Sequence, residues 1–211
     1  MVPLDPNQAP TISSGACILL TEATMPLSPA TPRELLHTRT VTCYGYHRDD
    51  GLWDIEGHLV DVKTYGFEND HRGFVNAGEP VHEMWLRLSI DDDMEIHEAE
   101  AVTDHAPYAM CPNITSRFAL LKGLRIGAGF HREVHRLVGG TKGCTHLVEL
   151  LRPLATAAYQ TLVAKRRKRE ADPDAPPKRP LFLNTCHAHA SDSPEVKRRW
   201  PAFYTGPDGA A

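Results

Sequence analysis

The chain has 211 residues, 41% of them apolar, with 17 prolines and a formal net charge of −4 when histidine is neutral. That length suits one well-buried core rather than two, and the mild acidity argues against a general nucleic-acid-binding surface. No run reaches the roughly 18 apolar residues that a membrane-spanning helix needs.

The stretch "ACILL" (16–20) is short and follows no basic region, so it makes a poor signal peptide. The five cysteines (17, 43, 111, 144 and 186) are odd in number and widely spaced, unlike a secreted disulfide framework. A cytoplasmic protein is expected, without membrane or nucleic-acid partners.

Residues 1–32 hold prolines at 3, 6, 10, 26, 29 and 32 among Ser, Thr and Ala, with no sustained period. They read as a disordered arm, and Met25 competes with Met1 as the natural start. A single domain over 33–206 follows. "TRTVTCYGYH" and "LWDIEGHLVDVKTY" are rich in β-branched and aromatic residues around "RDDG", a hairpin signal with Gly51 supplying a positive φ.

After a polar connection (66–80), "VHEMWLRLSI" and "MEIHEAEAVT" repeat the pattern, with Met84, Leu86, Leu88 and Ile90 alternating and "DDD" (91–93) as the turn. Four antiparallel strands are predicted. The second half reads as helix. "NITSRFALLKGL" offers Thr115 and Ser116 as N-caps, and "HREVHRLVGG" is a short helix closed by glycines.

Leu147, Leu151, Leu154, Ala158 and Leu162 then form a helical stripe, which Pro153 should kink unless it lies in the first turns. "KRRKR" (165–169) suits a helix C-terminus. A linker over 170–180, a C-terminal segment with aromatic anchors and a tail at 207–211 complete the chain. Strands first and helices after make the class α+β.

Three segments carry candidate chemistry. In "GGTKGCTHLVELL" (139–151), Cys144 and His146 diverge if both lie inside the helix, and Cys144 is then a core thiol. If the helix starts at Thr145 or later, Cys144 sits at its N-terminal mouth, where the dipole favours a thiolate.

"NTCHAHAS" brings Cys186, His187 and His189 together without zinc-finger spacing. "EAVTDHAPYAMC" offers Asp104, Tyr108 and Cys111 after the last strand. The other histidines, His82 among them, read as surface or hairpin residues. No phosphate loop, nucleophile elbow or dinucleotide fingerprint competes.

"RELLHTRTVTCYGYHRDDGLWDIEGHLVD", "IHEAEAVTDHAPYAMCPNI", "LKGLRIGAGF", "GGTKGCTHLVELL" and "FLNTCHAHASD…RRWPAFYTG" together resemble the bacterial domain-of-unknown-function family 2889, over about residues 26 to 206. Members of that family tend to be encoded near genes for degrading aromatic and steroid-like compounds. The resemblance therefore implies a catabolic enzyme acting on a hydrophobic substrate.

A weaker similarity is to iron–sulfur scaffolds of the NifU and SufU type, in which a short antiparallel sheet precedes helices. It maps Asp104, Cys111 and Cys144 onto metal-site positions, with His146 where the scaffold has a further cysteine.

Two main expectations follow. The first is a lyase of aromatic catabolism, for instance one releasing a hydroxymethyl unit as formaldehyde. His146 or His187 would be its general base, with Asp104 orienting it, Tyr108 donating to an oxyanion and Cys144 tuning the site or acting as acid. Trp53, Trp85, Tyr44 and Tyr65 would line its pocket.

The second is a metal-binding scaffold holding one zinc or iron ion on Asp104, Cys111, Cys144 and His146. The lyase requires no cofactor. A non-catalytic accessory subunit is the third reading, and an exposed sheet edge would permit a homodimer.

Overall fold

The computed structural model describes residues 27–170, 179–180 and 182–207, with the side chains of 166–170 excepted. The arm through residue 26, Cys17, Met25, the linker at 171–178 and the tail at 208–211 lie outside these residues.

Six strands form: β1 (His37–His47), β2 (Trp53–Lys63), β3 (Phe67–Asn69), β4 (Gly73–Val75), β5 (Pro80–Ile90) and β6 (Ile96–His105). Four of them make one antiparallel sheet in the order β1-β2-β5-β6, and β3 pairs with β4 in a separate two-stranded sheet. The expected α+β class and four-stranded sheet are present.

The period of two explains the sheet. Ile55 and Leu59 on β2 and Met84, Leu86, Leu88 and Ile90 on β5 point to one buried face. Gly51 turns β1 into β2 at φ 89. At the β5–β6 turn Asp91 Oδ1 accepts from the backbone N–H groups of Asp93 and Glu95. Met94 there adopts φ 68, so β6 begins at Ile96 rather than at Met94.

The polar connection also hides a small hairpin, β3–β4, whose three-residue strands are too short to show a period.

The helices pack on the buried face. The segment expected as an α-helix is a 3-10 run, Cys111–Leu121, with Pro112 in its first turn. Thr115 does not cap it; its hydroxyl donates to the Pro112 carbonyl at 2.9 Å. Helix α1 spans Phe130–Val138, and α2 spans Thr145–Glu170 with Pro153 inside. A short α3 (Pro194–Arg199) lies in the C-terminal segment.

Leu147, Leu150, Leu151, Leu154, Ala158 and Leu162 of α2 are buried against the sheet. Their burial is the main reason that this helix holds its place. Among the described residues no helix is long and apolar enough to cross a membrane.

Candidate functional site

Three facing residues build the site. Arg39 of β1 lies opposite Asp61 of β2, and Asp61 lies opposite His82 of β5. All three point to the helix-covered face, because they continue the buried parity of their strands. Asp61 is 3% exposed.

Its Oδ1 accepts from Arg39 Nε at 2.8 Å and lies 2.9 Å from His37 Nε2. Its Oδ2 accepts from Arg39 Nη2 at 2.8 Å. A planar guanidinium fork on a buried carboxylate is a strong, orienting contact.

Helix α2 closes the site from above. A Cβ on Gly143 would lie 2.0 Å from the Val138 carbonyl oxygen, so the chain can turn this tightly out of α1 only with glycine there. That turn delivers Cys144 to the mouth of α2, and its carbonyl accepts from Val148 N–H at 2.9 Å. The helix begins at Thr145, and Cys144 and His146 face the same site.

Cys144 Sγ lies 3.9 Å from His146 Nδ1 and 3.8 Å from Met84 Sδ. His146 Nε2 is 3.9 Å from Asp61 Oδ2. The His82 and His146 rings stack at 3.9 Å between centroids, tilted by 32°.

His82 Nδ1 approaches Asp61 Oδ2 to 3.2 Å. The approach is off the hydrogen-bonding line, so this buried nitrogen has no aligned partner. At that angle the approach is a close contact without the strength of a hydrogen bond.

Electrostatics hold both imidazoles neutral. Burial, followed by the neighbouring His146, pushes the His82 pKa down. Burial, followed by the Arg39 charge, pushes His146 down. For Asp61 burial works to raise the pKa, but hydrogen bonds from Arg39 and His37 outweigh it and hold the carboxyl below its ordinary range.

The signs agree. An unfolded chain with ordinary histidines binds protons first as pH falls through about 6.5, so stability is full above that value and declines below it. Asp61 adds a further loss in stronger acid. Urea unfolding should therefore show stability falling from pH 7.5 to 5.5, and His82→Gln with His146→Gln should flatten that fall. Equal slopes in the two proteins would mean that the rings titrate as if exposed.

An open groove of about 650 Å³ runs from this cluster between β1 and α2. Val41, Leu59, Leu150, Pro153 and Ala157 make it apolar, and Arg39 and Glu149 stand at its polar end. Arg39 Nη1 donates to Glu149 Oε2 at 2.9 Å, so one guanidinium belongs to both groove and cluster. The volume lies within the range of small-molecule pockets.

The sequence candidates divide. Cys144 and His146 belong to the site. Asp104 does not, because its strand parity turns it to the opposite face of the sheet, where Trp85 Nε1 donates to it at 2.9 Å. Among the described residues the one gathering of possible metal ligands is Asp61, His82 and His146, within 4.8 Å of one another. The set Asp104, Cys111, Cys144 and His146 does not converge.

Cys111 begins the 3-10 run, where burial raises its thiol pKa and Cys144 adds to the rise. Tyr108 is 67% exposed, and His187 lies exposed in a 3-10 turn of the C-terminal segment.

The four aromatics do not line the groove. Trp53 donates to Asp92 at 2.9 Å, and Lys165 of α2 lies 5.5 Å over its ring. Trp85 stacks on His58 at 3.6 Å on the outer face. Tyr44 is also exposed on that face, and Tyr65 is exposed beyond the end of β2.

Residues 37–160 match the family model described as a protein of unknown function, DUF2889. The chain belongs to this family. The DUF2889 stretch opens on His37 and contains Arg39, Asp61, His82, Cys144, His146 and Glu149, whereas His187 lies beyond it. No curated protein and no solved structure matches the chain, so the similarity to iron–sulfur scaffolds gains no support from these comparisons.

Proposed function

We propose that this chain is a small-molecule enzyme of aromatic-compound catabolism, a lyase that releases formaldehyde from a hydroxymethyl-bearing aromatic by acid–base chemistry. The observation that carries this reading is the pair of neutral imidazoles, His82 and His146, set between Asp61 and Cys144, in a cluster that Arg39 joins to an apolar groove.

Neutral imidazole is the form that accepts a proton at pH 7. His146 is the general base, being the more open ring of the two. Asp61, 3.9 Å from His146 Nε2, is the carboxylate beside the base in place of Asp104, and Arg39 and His37 fix its position.

The step conserves atoms and electrons. His146 takes the proton of the hydroxymethyl O–H, and the oxygen lone pair becomes the second C–O bond of formaldehyde. The broken C–C pair forms a C=C bond to the neighbouring carbon as an oxygen leaving group departs from it. That oxygen takes a proton from the Cys144 thiol, which recovers one from the His146 imidazolium 3.9 Å away.

The second reading is a zinc or iron site on Asp61, His82 and His146. It is favoured by their spacing and by the unaligned His82 Nδ1. Two histidines and one carboxylate can hold either metal. The Arg39 fork weighs against it, because a guanidinium on the same carboxylate repels a cation.

The deciding assay is formaldehyde release from an uncharged 1-aryl-1,3-diol, whose benzylic oxygen is the leaving group, before and after chelation. Equal rates, with formaldehyde and alkene formed one to one, are expected. A rate lost on chelation and restored by zinc or iron would favour the metal centre.

A further inference from the structure

We infer that the groove selects uncharged aromatic molecules against carboxylates, and that Glu149 is the residue that sets this choice. The inference rests on reading the groove as the substrate site. Arg39 is the cation among the groove-lining residues. A lone arginine at the end of an apolar groove is ordinarily a carboxylate anchor, because its fork matches a carboxylate's two oxygens.

Here the fork is taken. Nε and Nη2 hold Asp61, each at 2.8 Å, and Nη1 holds Glu149 at 2.9 Å. One positive charge thus faces two negative ones. An incoming carboxylate meets no unmatched positive charge. To reach Nη1 it must displace Glu149 and accept the repulsion of Asp61 behind it.

An uncharged alcohol incurs neither cost. Its apolar body covers Leu59, Leu150 and Pro153, and its hydroxyl can meet the polar end. Asp61 is buried and tied by three hydrogen bonds from Arg39 and His37, whereas the Glu149 side chain is 54% exposed with Arg39 as its one ion-pair partner among the described residues. Glu149 is therefore the adjustable member, placed one helical turn after His146.

The test is calorimetric titration of the full chain with 2-naphthylmethanol and 2-naphthoate, which share a ring system and differ in charge. Wild type is expected to bind the alcohol and to bind naphthoate much more weakly. Glu149→Gln keeps the side chain's shape and frees one guanidinium N–H. It should shift the naphthoate-to-alcohol affinity ratio toward naphthoate by about tenfold, the worth of one charge-assisted hydrogen bond.

A wild type that binds both alike, or a ratio unmoved by Glu149→Gln, would overturn the charge selection while leaving the groove a binding site. A wild type that binds neither probe would overturn the groove reading and this inference with it.

Discussion

Arg39→Ala is expected to lower the unfolding free energy by about 3 kcal/mol at neutral pH, because it strips a buried carboxylate of its countercharge. Asp61 would keep His37 as its one aligned hydrogen-bond partner while remaining almost wholly out of water. For a chain of this size the loss corresponds to about 6–12 °C in melting temperature.

The figure sits at the lower end of what breaking a buried pair costs, since the Arg39 side chain is itself 36% exposed. Adding Asp61→Asn removes the stranded charge, so the double variant should recover part of the loss. That non-additivity is the mark of a direct interaction. Urea unfolding of the two variants beside wild type reads both quantities. A loss below about 1 kcal/mol for Arg39→Ala would mean that Asp61 does not depend on the fork.

Much of the fold was legible because each element obeys a short-range rule. Ile55 and Leu59, then Met84 through Ile90, alternate at the strand period, and the leucines of α2 keep the helical one. Half of the site was legible too, since Cys144 and His146 stand where glycines end one helix and another begins.

The other half was written in the same alternation and was harder to see. Asp61 follows Ile55, Gly57 and Leu59 at steps of two, and His82 precedes Met84 and Leu86 at the same step. A charged residue and a histidine that continue a buried parity need a reason, and their reason is one another. What sequence lacks is the register that sets Asp61 against His82, because the β3–β4 hairpin separates their strands.

Asp104 misleads for the matching reason. Its position after a strand suggested a site, but the pairing of Trp85 with Val102 puts it on the outer face.

His146→Ala should lower turnover by about 100-fold or more, the range for loss of a general base. The ring touches solvent over a quarter of its side chain, and its contacts to Cys144 and Asp61 are long. The fold should therefore survive its removal, and the melting temperature should stay close to wild type. The effect belongs in kcat more than in KM, because the groove proposed to hold the aromatic body is lined by other residues.

His187→Ala is the matched control, since that imidazole lies exposed in the C-terminal segment and shares nothing with Asp61 or Cys144. The measurement that tests the central claim most directly is the rate of formaldehyde release from an uncharged 1-aryl-1,3-diol by wild type, His146→Ala and His187→Ala side by side. Turnover lost in the first variant and kept in the second is the predicted result. Full turnover by His146→Ala, or its loss in His187→Ala alone, would contradict the assignment of the active site to the Asp61, His82 and His146 cluster.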